Sequence, residues 1–331
     1  MRVRENELIS RIDRAVGRGV RASREVRLGI GDDAALLLPR ASHELTLTCD
    51  WFLEGSHFLR DKHPPDSVGW KCLTRALSDV AAMGGKPRCF LLSLAIPASH
   101  TGRWLDKFLS GLRRASRRFG CALGGGDTTH RKEILINVTI VGEIKTGPAV
   151  LRSGARPGDY IYVSGNLGEA ELGLQILRRS RGPANSKNPL LKKHLYPEPR
   201  LAMGQWLAKE RLASAMMDLS DGLSSDLPRL CAASGVGARL ESAKIPGIGN
   251  SDAARKLGSD PLHLALNGGD DYELLFTVPP QNAKSMPNTF QGVKLTPVGT
   301  ITQKAKLVVC EENGRERSLA EGGWDPFRDV R

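Results

Sequence analysis

The chain has 331 residues, of which 40% are hydrophobic and 25% charged, with a net charge of +12. Its length favours two domains over a single core, and its composition argues against a disordered chain. No apolar run approaches the ~18–20 residues that span a bilayer, and Met1-Arg2-Val3-Arg4-Glu5-Asn6-Glu7 lacks the apolar core of a signal peptide, so a cytoplasmic protein is expected.

In chain order, Glu5 to Val16 reads as an amphipathic helix through Leu8, Ile9, Ile12, Ala15 and Val16. Leu45 to Thr48 reads as a strand ending at Cys49-Asp50. Ser67 to Ala82 is a helix with an apolar stripe of Val68, Cys72, Leu73, Ala76 and Val80, stopped by Gly84-Gly85 and Pro87. Phe90 to Ile96 and Ile134 to Val141 have the length and β-propensity of strands. Between them Trp104, Leu105, Phe108, Leu109, Leu112 and Ala115 recur at helical spacing, which sends Arg113, Arg114, Arg117 and Arg118 to the outer face. The segment from Gly142 to Gly158 is rich in glycine and proline and marks an expected boundary, giving domains 1–148 and 149–331. Beyond it, strands are expected at Tyr160 to Val163, Gly237 to Leu240, Tyr272 to Val278, Val298 to Ile301 and Leu307 to Cys310, with Arg179 to Pro189 a surface loop. The reading is α+β in two domains.

The six cysteines, Cys49, Cys72, Cys89, Cys121, Cys231 and Cys310, are far apart and form no C-x-x-C pair, so reduced thiols are expected rather than a zinc site or disulfide frame. The positive charge suits nucleic acid or anionic small substrates. No zinc-finger spacing or RNP-type aromatic strand supports the former.

Two phosphate-binding patterns fail. Gly29-Ile30-Gly31-Asp32-Asp33-Ala34 matches G-x-G-x-x-A, but no apolar strand precedes it, Pro39 forestalls a full helix, and two acids would repel a pyrophosphate. No G-x-x-x-x-G-K-[ST] occurs. What recurs is aspartate beside glycine or a small polar residue, at Asp32-Asp33, Asp50, Asp79, Gly126-Asp127, Asp218 to Asp221 and Asp270-Asp271. Each alone is a cap or a turn. As a set at the ends of apolar segments they are costly unless cations compensate them. Magnesium is the natural cation, since it takes few carboxylates and bridges phosphate oxygens, and adjacent glycines open backbone N–H groups to phosphate. The pattern points to magnesium-assisted phosphoryl transfer.

The succession GIGDDAALL, TCDWFLEGSHF, LSDVAAMGGKP, GGGDTTH, LRSGARPGDYIYVSG, MDLSDGLSSDL and NGGDDYELLFTV resembles the thiamine-monophosphate kinase family, within the superfamily of aminoimidazole ribonucleotide synthetase-like ATP-binding enzymes. The resemblance runs from about Glu5 to Phe327. It implies two mixed domains. The first binds ATP and magnesium and pairs in a homodimer through a barrel-like sheet; the second completes the active site. It implies magnesium ligands at Asp33, Thr48, Cys49 (through its carbonyl), Asp50, Asp79, Asp127, Asp218 and Asp221. ATP contacts fall to Gly126, Asp127, Arg152 and Ser220, and thiamine monophosphate contacts to His57, Asp270 and Trp324. Cys49 stands where threonine or serine is usual, Ala76 where asparagine is, Asp270 where glutamate is, and Trp324 in place of a smaller aromatic residue. The acceptor is itself a phosphate monoester, largely dianionic at neutral pH, so no general base is assigned. A selenophosphate or aminoimidazole ribonucleotide synthetase is the alternative within the superfamily, and a basic nucleic-acid-binding protein the alternative outside it. The reading therefore expects ATP and thiamine monophosphate as partners, several magnesium ions, and neither nucleic acid nor membrane.

Overall fold

The computed structural model describes residues 5–17, 26–28, 30, 34–185, 188–248 and 252–327. The chain divides into two compact units, one made of Met1–Val80, Gly85–Gly147 and Ser180–Ser186, the other of Ala81–Gly84, Pro148–Arg179 and Lys187–Arg331.

In the first unit, helix α1 (Glu5–Ala15) is followed by a small antiparallel pair, β1 (Val26–Leu28) and β2 (Leu36–Leu37). Next come β3 (His43–Leu53), α2 (Pro65–Ala82), β4 (Lys86–Ala95), α3 (Arg103–Phe119), β5 (Ala122–Thr129) and β6 (Leu135–Lys145). The four longer strands form one sheet in the order β3-β6-β4-β5, with only β4 and β5 parallel. Helices α2 and α3 bury Val68, Cys72, Leu73, Leu77, Leu105, Phe108 and Leu112. They cross closely because both carry glycine there: a Cβ on Gly69 would lie 2.0 Å from the Phe108 carbonyl oxygen, and one on Gly111 1.8 Å from that of Asp66. Arg113, Arg114, Arg117 and Arg118 of α3 are exposed, as the helical spacing requires.

Several strands differ from the sequence reading, β8 (Ala215–Leu219) being one that it does not expect at all, and three of the differences have a plain physical reason. The polar residues Thr48, Cys49 and Asp50 do not end β3, because β6 pairs with it without a break from His43↔Lys145 to Leu53↔Leu135. The glycine-rich run at 124–126 is strand β5 rather than a loop. At the edge of the sheet it needs one partner only, and β4 supplies it. A later strand, β12 (Val293–Thr302), is longer at both ends than expected. It contains Pro297, which sits at a register irregularity where the missing N–H does least harm.

The second unit contains β7 (Tyr160–Ser164), α4 (Glu169–Arg179), α5 (Pro189–Leu195), α6 (Leu201–Lys209), β8 (Ala215–Leu219), α7 (Leu223–Ser234), β9 (Gly237–Glu241), α8 (Asp252–Leu257) and α9 (Pro261–Asn267). It ends with β10 (Glu273–Val278), α10 (Pro280–Ala283), β11 (Thr289–Phe290), β12 (Val293–Thr302), β13 (Leu307–Cys310) and β14 (Glu316–Ser318). The large sheet runs β14-β13-β9-β12-β7-β10-β8, with β11 on β12. Only β13 and β9 are parallel. Every residue of β10 is buried, so the sheet is covered on both faces there. Ile161, Val163, Met217, Leu219 and Leu275 pack with Leu223, Leu227 and Leu230 of α7 in its main core. Among the described residues, no helix is long and apolar enough to cross a membrane.

Candidate active site

In the first unit the functional side chains stand where β3 faces α2. Alternation along β3 puts Thr48, Asp50 and Phe52 on that side. The Thr48 hydroxyl donates to Asp79 Oδ2 at 2.5 Å, joining the strand to the last turns of α2. Arg75, one turn earlier on α2, has its guanidinium 3.7 Å from Asp50 Oδ1 and 5.6 Å from the centre of the Phe52 ring. The other face of β3 is exposed: Leu45, Leu47 and Trp51 lie there together with Cys49, which is the acceptor for Asn137 Nδ2 at 3.1 Å.

His57 follows β3 in a tight turn. Its Nδ1 accepts the Leu53 N–H at 3.0 Å, which leaves Nε2 to carry the ring proton. Gly126 and Asp127 lie on β5, opposite Leu92 and Ser93 of β4. Only glycine fits at 126, since a Cβ would stand 1.9 Å from the Leu92 carbonyl oxygen. Gly125, Gly126, Asp127 and Thr128 border a cavity of about 80 Å3 whose other walls are Ile9, Ile12, Ile30 and Leu92. The Thr128 hydroxyl oxygen is buried there without a hydrogen-bond partner. Asp33 lies outside the described residues.

In the second unit a single loop after β8 gathers most of the expected residues. Asp218 is buried on β8 opposite Leu274 of β10. The backbone N–H groups of Ser220, Asp221 and Gly222 all donate to Asp226 Oδ2 at 3.1 Å each, so one carboxylate on the first turn of α7 shapes the loop. Arg229 bridges Asp221 Oδ2 and Asp226 Oδ1 at 2.5 and 2.9 Å. Burial, reinforced by Asp221, pushes the Asp226 carboxyl up to about 7 against the pull of Arg229 and the backbone donors. The Asp270 N–H donates to the Ser220 carbonyl at 2.8 Å, and the Trp324 N–H to that of Asp221 at 2.9 Å. Two of the three residues expected to contact thiamine monophosphate are thereby tied to the loop expected to bind ATP and metal, and the third, His57, belongs to the first unit. Arg152 is exposed on a separate segment held by Ser234, whose hydroxyl accepts from the N–H groups of Gly154 and Ala155 at 3.2 Å each and donates to the Arg152 carbonyl at 3.0 Å.

The structure thus groups Thr48, Asp50 and Asp79 in the first unit, and Asp218, Ser220, Asp221, Asp270 and Trp324 in the second. Among the described residues, no three carboxylate, imidazole or thiol groups converge into one ligand set. The sequence reading missed Asp226, whose signal was an acid in the first turn of a helix opened by Asp-Gly. It assigns no role to Tyr272 or His194, both of which lie against Asp270. No sequence signal marks them, because α5 brings His194 to Asp270 from far along the chain.

Residues 31–144 match the N-terminal domain of the AIR synthase related proteins, and residues 156–310 their C-terminal domain. The thiamine-monophosphate kinase of Escherichia coli (strain K12) is 39% identical over 315 residues, which cover 93% of this chain and 94% of that one. The crystal structure of thiamine-monophosphate kinase from Stenotrophomonas maltophilia K279a is 35% identical, with a TM-score of 0.77 over 91% of this chain and 95% of that one. A structure of AaThiL complexed with AMPPCP and TMP is 33% identical, with a TM-score of 0.76 over 98% and 97% of the two chains. With its two domains in this order and such identity over nearly its whole length, the chain belongs to the thiamine-monophosphate kinases of the AIR synthase related family.

Proposed function

We propose that this chain transfers the γ-phosphoryl group of ATP directly to the phosphate of thiamine monophosphate, releasing ADP and thiamine diphosphate in the cytoplasm. The observation that carries the reading is the loop at 220–222, just beyond Asp218, to which Asp270 and Trp324 are both pinned by backbone hydrogen bonds. One segment then serves both substrates, as an in-line transfer between two phosphates needs. The AaThiL neighbour holds AMPPCP and TMP together.

The residues fit magnesium: Thr48, Asp50 and Asp79 form an oxygen-only set on facing elements, Asp218 and Asp221 add oxygens on β8 and the loop that follows it, and hard cations prefer oxygen. Asp33, Thr48, the Cys49 carbonyl, Asp50, Asp79, Asp127, Asp218 and Asp221 are the ligands we assign. When bound, magnesium supplies the positive charge that lets two polyanions meet. The chain's own part is to bind and orient. Gly126 brings backbone within reach of a phosphate because nothing projects from its Cα. Asp127 and Ser220 contact ATP, and Arg152 offers a charged fork for its phosphates. Asp270 faces the cationic end of thiamine monophosphate, Trp324 gives its rings a stacking surface, and His57 presents Nε2–H as a donor. No side chain removes a proton, since the attacking phosphate oxygen is already ionised. The exposed apolar face of β3, at the edge of its sheet, supports a homodimer formed through the first unit.

A coupled ADP-release assay tests the proposal, with thiamine monophosphate, thiamine and aminoimidazole-type precursors each offered with and without magnesium. Turnover is expected with thiamine monophosphate and magnesium only, and its absence there refutes the reading. Asp50→Asn and Asp218→Asn should each lower kcat by at least about a hundredfold while leaving the fold intact.

A further inference from the structure

Asp270 is gripped at both carboxylate oxygens. The Tyr272 hydroxyl, two residues on, reaches back to donate to Oδ1 at 2.7 Å. The Nδ1 of His194 faces Oδ2 from 3.7 Å, too far for a direct hydrogen bond. Both partners are closed off from water, with His194 1% and Tyr272 2% exposed, while 29% of the Asp270 side chain remains open. The backbone is strained to achieve this. Asp270 has φ +68° and Tyr272 φ +51°, a region that aspartate tolerates better than most residues and that strains tyrosine. Hydrogen bonds from their N–H groups to the Ser220 and Leu219 carbonyls hold them there.

His194 is fixed independently. Its neighbour Lys193 donates to the fully buried Glu273 at 2.6 Å, and Arg200 donates to the same carboxylate through Nε at 2.6 Å and again through Nη2. Burial opposes the charge on Glu273, but these two cations hold its carboxyl below the usual value. The short helix α5 is thereby anchored to the first residue of β10, three positions from Asp270.

We propose that Tyr272 and His194 are positioning residues that hold the Asp270 carboxylate ready for the cationic, amine-bearing end of the substrate, and so set affinity for it without touching it. The proposal rests on the reading that Asp270 binds thiamine monophosphate. A loose carboxylate must be ordered when substrate arrives, and that cost is subtracted from binding. A charge-assisted hydrogen bond from a buried donor removes it beforehand.

Steady-state kinetics with each substrate varied in turn tests this. Tyr272→Phe should raise KM for thiamine monophosphate by about tenfold, the usual effect of losing a hydrogen bond to a charged group. KM for ATP should stay within about twofold and kcat should change little. His194→Leu should act in the same direction. His194→Asn, whose amide nitrogen can stand where Nδ1 does, should restore affinity. In an Asp270→Asn background Tyr272→Phe should add nothing further, because the group it positions has changed. If Asp270→Asn itself leaves KM for thiamine monophosphate unchanged, the substrate reading of Asp270 fails and the proposal goes with it. If Asp270→Asn raises that KM while Tyr272→Phe and His194→Leu do not, positioning alone is overturned. Equal rises for both substrates would mean a general structural role, and would overturn it too.

Discussion

Two aspartates side by side do different work here. Asp270 keeps its carboxylate partly open, whereas Asp271 turns into the protein and accepts the N–H groups of Gly168 and Ala170 at 2.6 and 3.2 Å, at the start of α4. Burial pushes the Asp271 carboxyl up to about 8, against the pull of those donors and of Lys193. The unfolded chain releases this proton near 4 while the folded chain keeps it to about 8. Between those values the native state binds more protons than the unfolded one, so this group's contribution to stability falls as pH rises. Asp271→Asn keeps a carbonyl acceptor but cannot ionise. Its Tm should gain on the parent's between pH 5 and pH 8, and parallel Tm curves would refute the assignment. From sequence the pair reads only as a turn, because nothing in Gly-Gly-Asp-Asp says which acid faces inward.

At the scale of elements, helices α1 to α3 and most strands were legible because apolar spacing is a local property, whereas α4 to α10 were not read from it. The stripe of α2 and the arginine face of α3 needed nothing else. What escaped was decided by partners. β5 is a strand because β4 lies beside it, and β3 continues through polar residues because β6 does not stop. The same holds for the site. Aspartates could be picked out by type and order, but Asp226, Tyr272 and His194 act through contacts that only folding makes. Helix α7 shows this at both ends, since Asp226 on its first turn holds the 220–222 backbone and Ser234 on its last holds the Arg152 segment. Ser234→Ala removes three hydrogen bonds from that segment. It should raise KM for ATP several-fold with KM for thiamine monophosphate unaffected, each neutral bond being worth about 1 kcal/mol. An unchanged KM for ATP would remove Arg152 from the nucleotide site.

At the scale of the molecule, both units carry residues that we assign to magnesium. Thr48, Asp50 and Asp79 belong to the first, and Asp218 and Asp221 to the second. The proposed dimer is tested on β3. Leu47 is 71% exposed and Trp51 55%, a costly display for a face that water would otherwise wet. Trp51→Glu should shift the protein from dimer to monomer in light scattering at micromolar concentration, and a variant that remains dimeric would place the interface elsewhere. The strand itself leaves little freedom. Leucines and tryptophan alternate with threonine and aspartate over consecutive positions, so deleting one residue ahead of Thr48 would turn the apolar side chains toward α2 and the oxygen donors outward. Assembly and chemistry would be lost together. Over these residues the reading frame of the strand is under tighter constraint than any single side chain in it, and variation here should run to substitutions and never to changes of length.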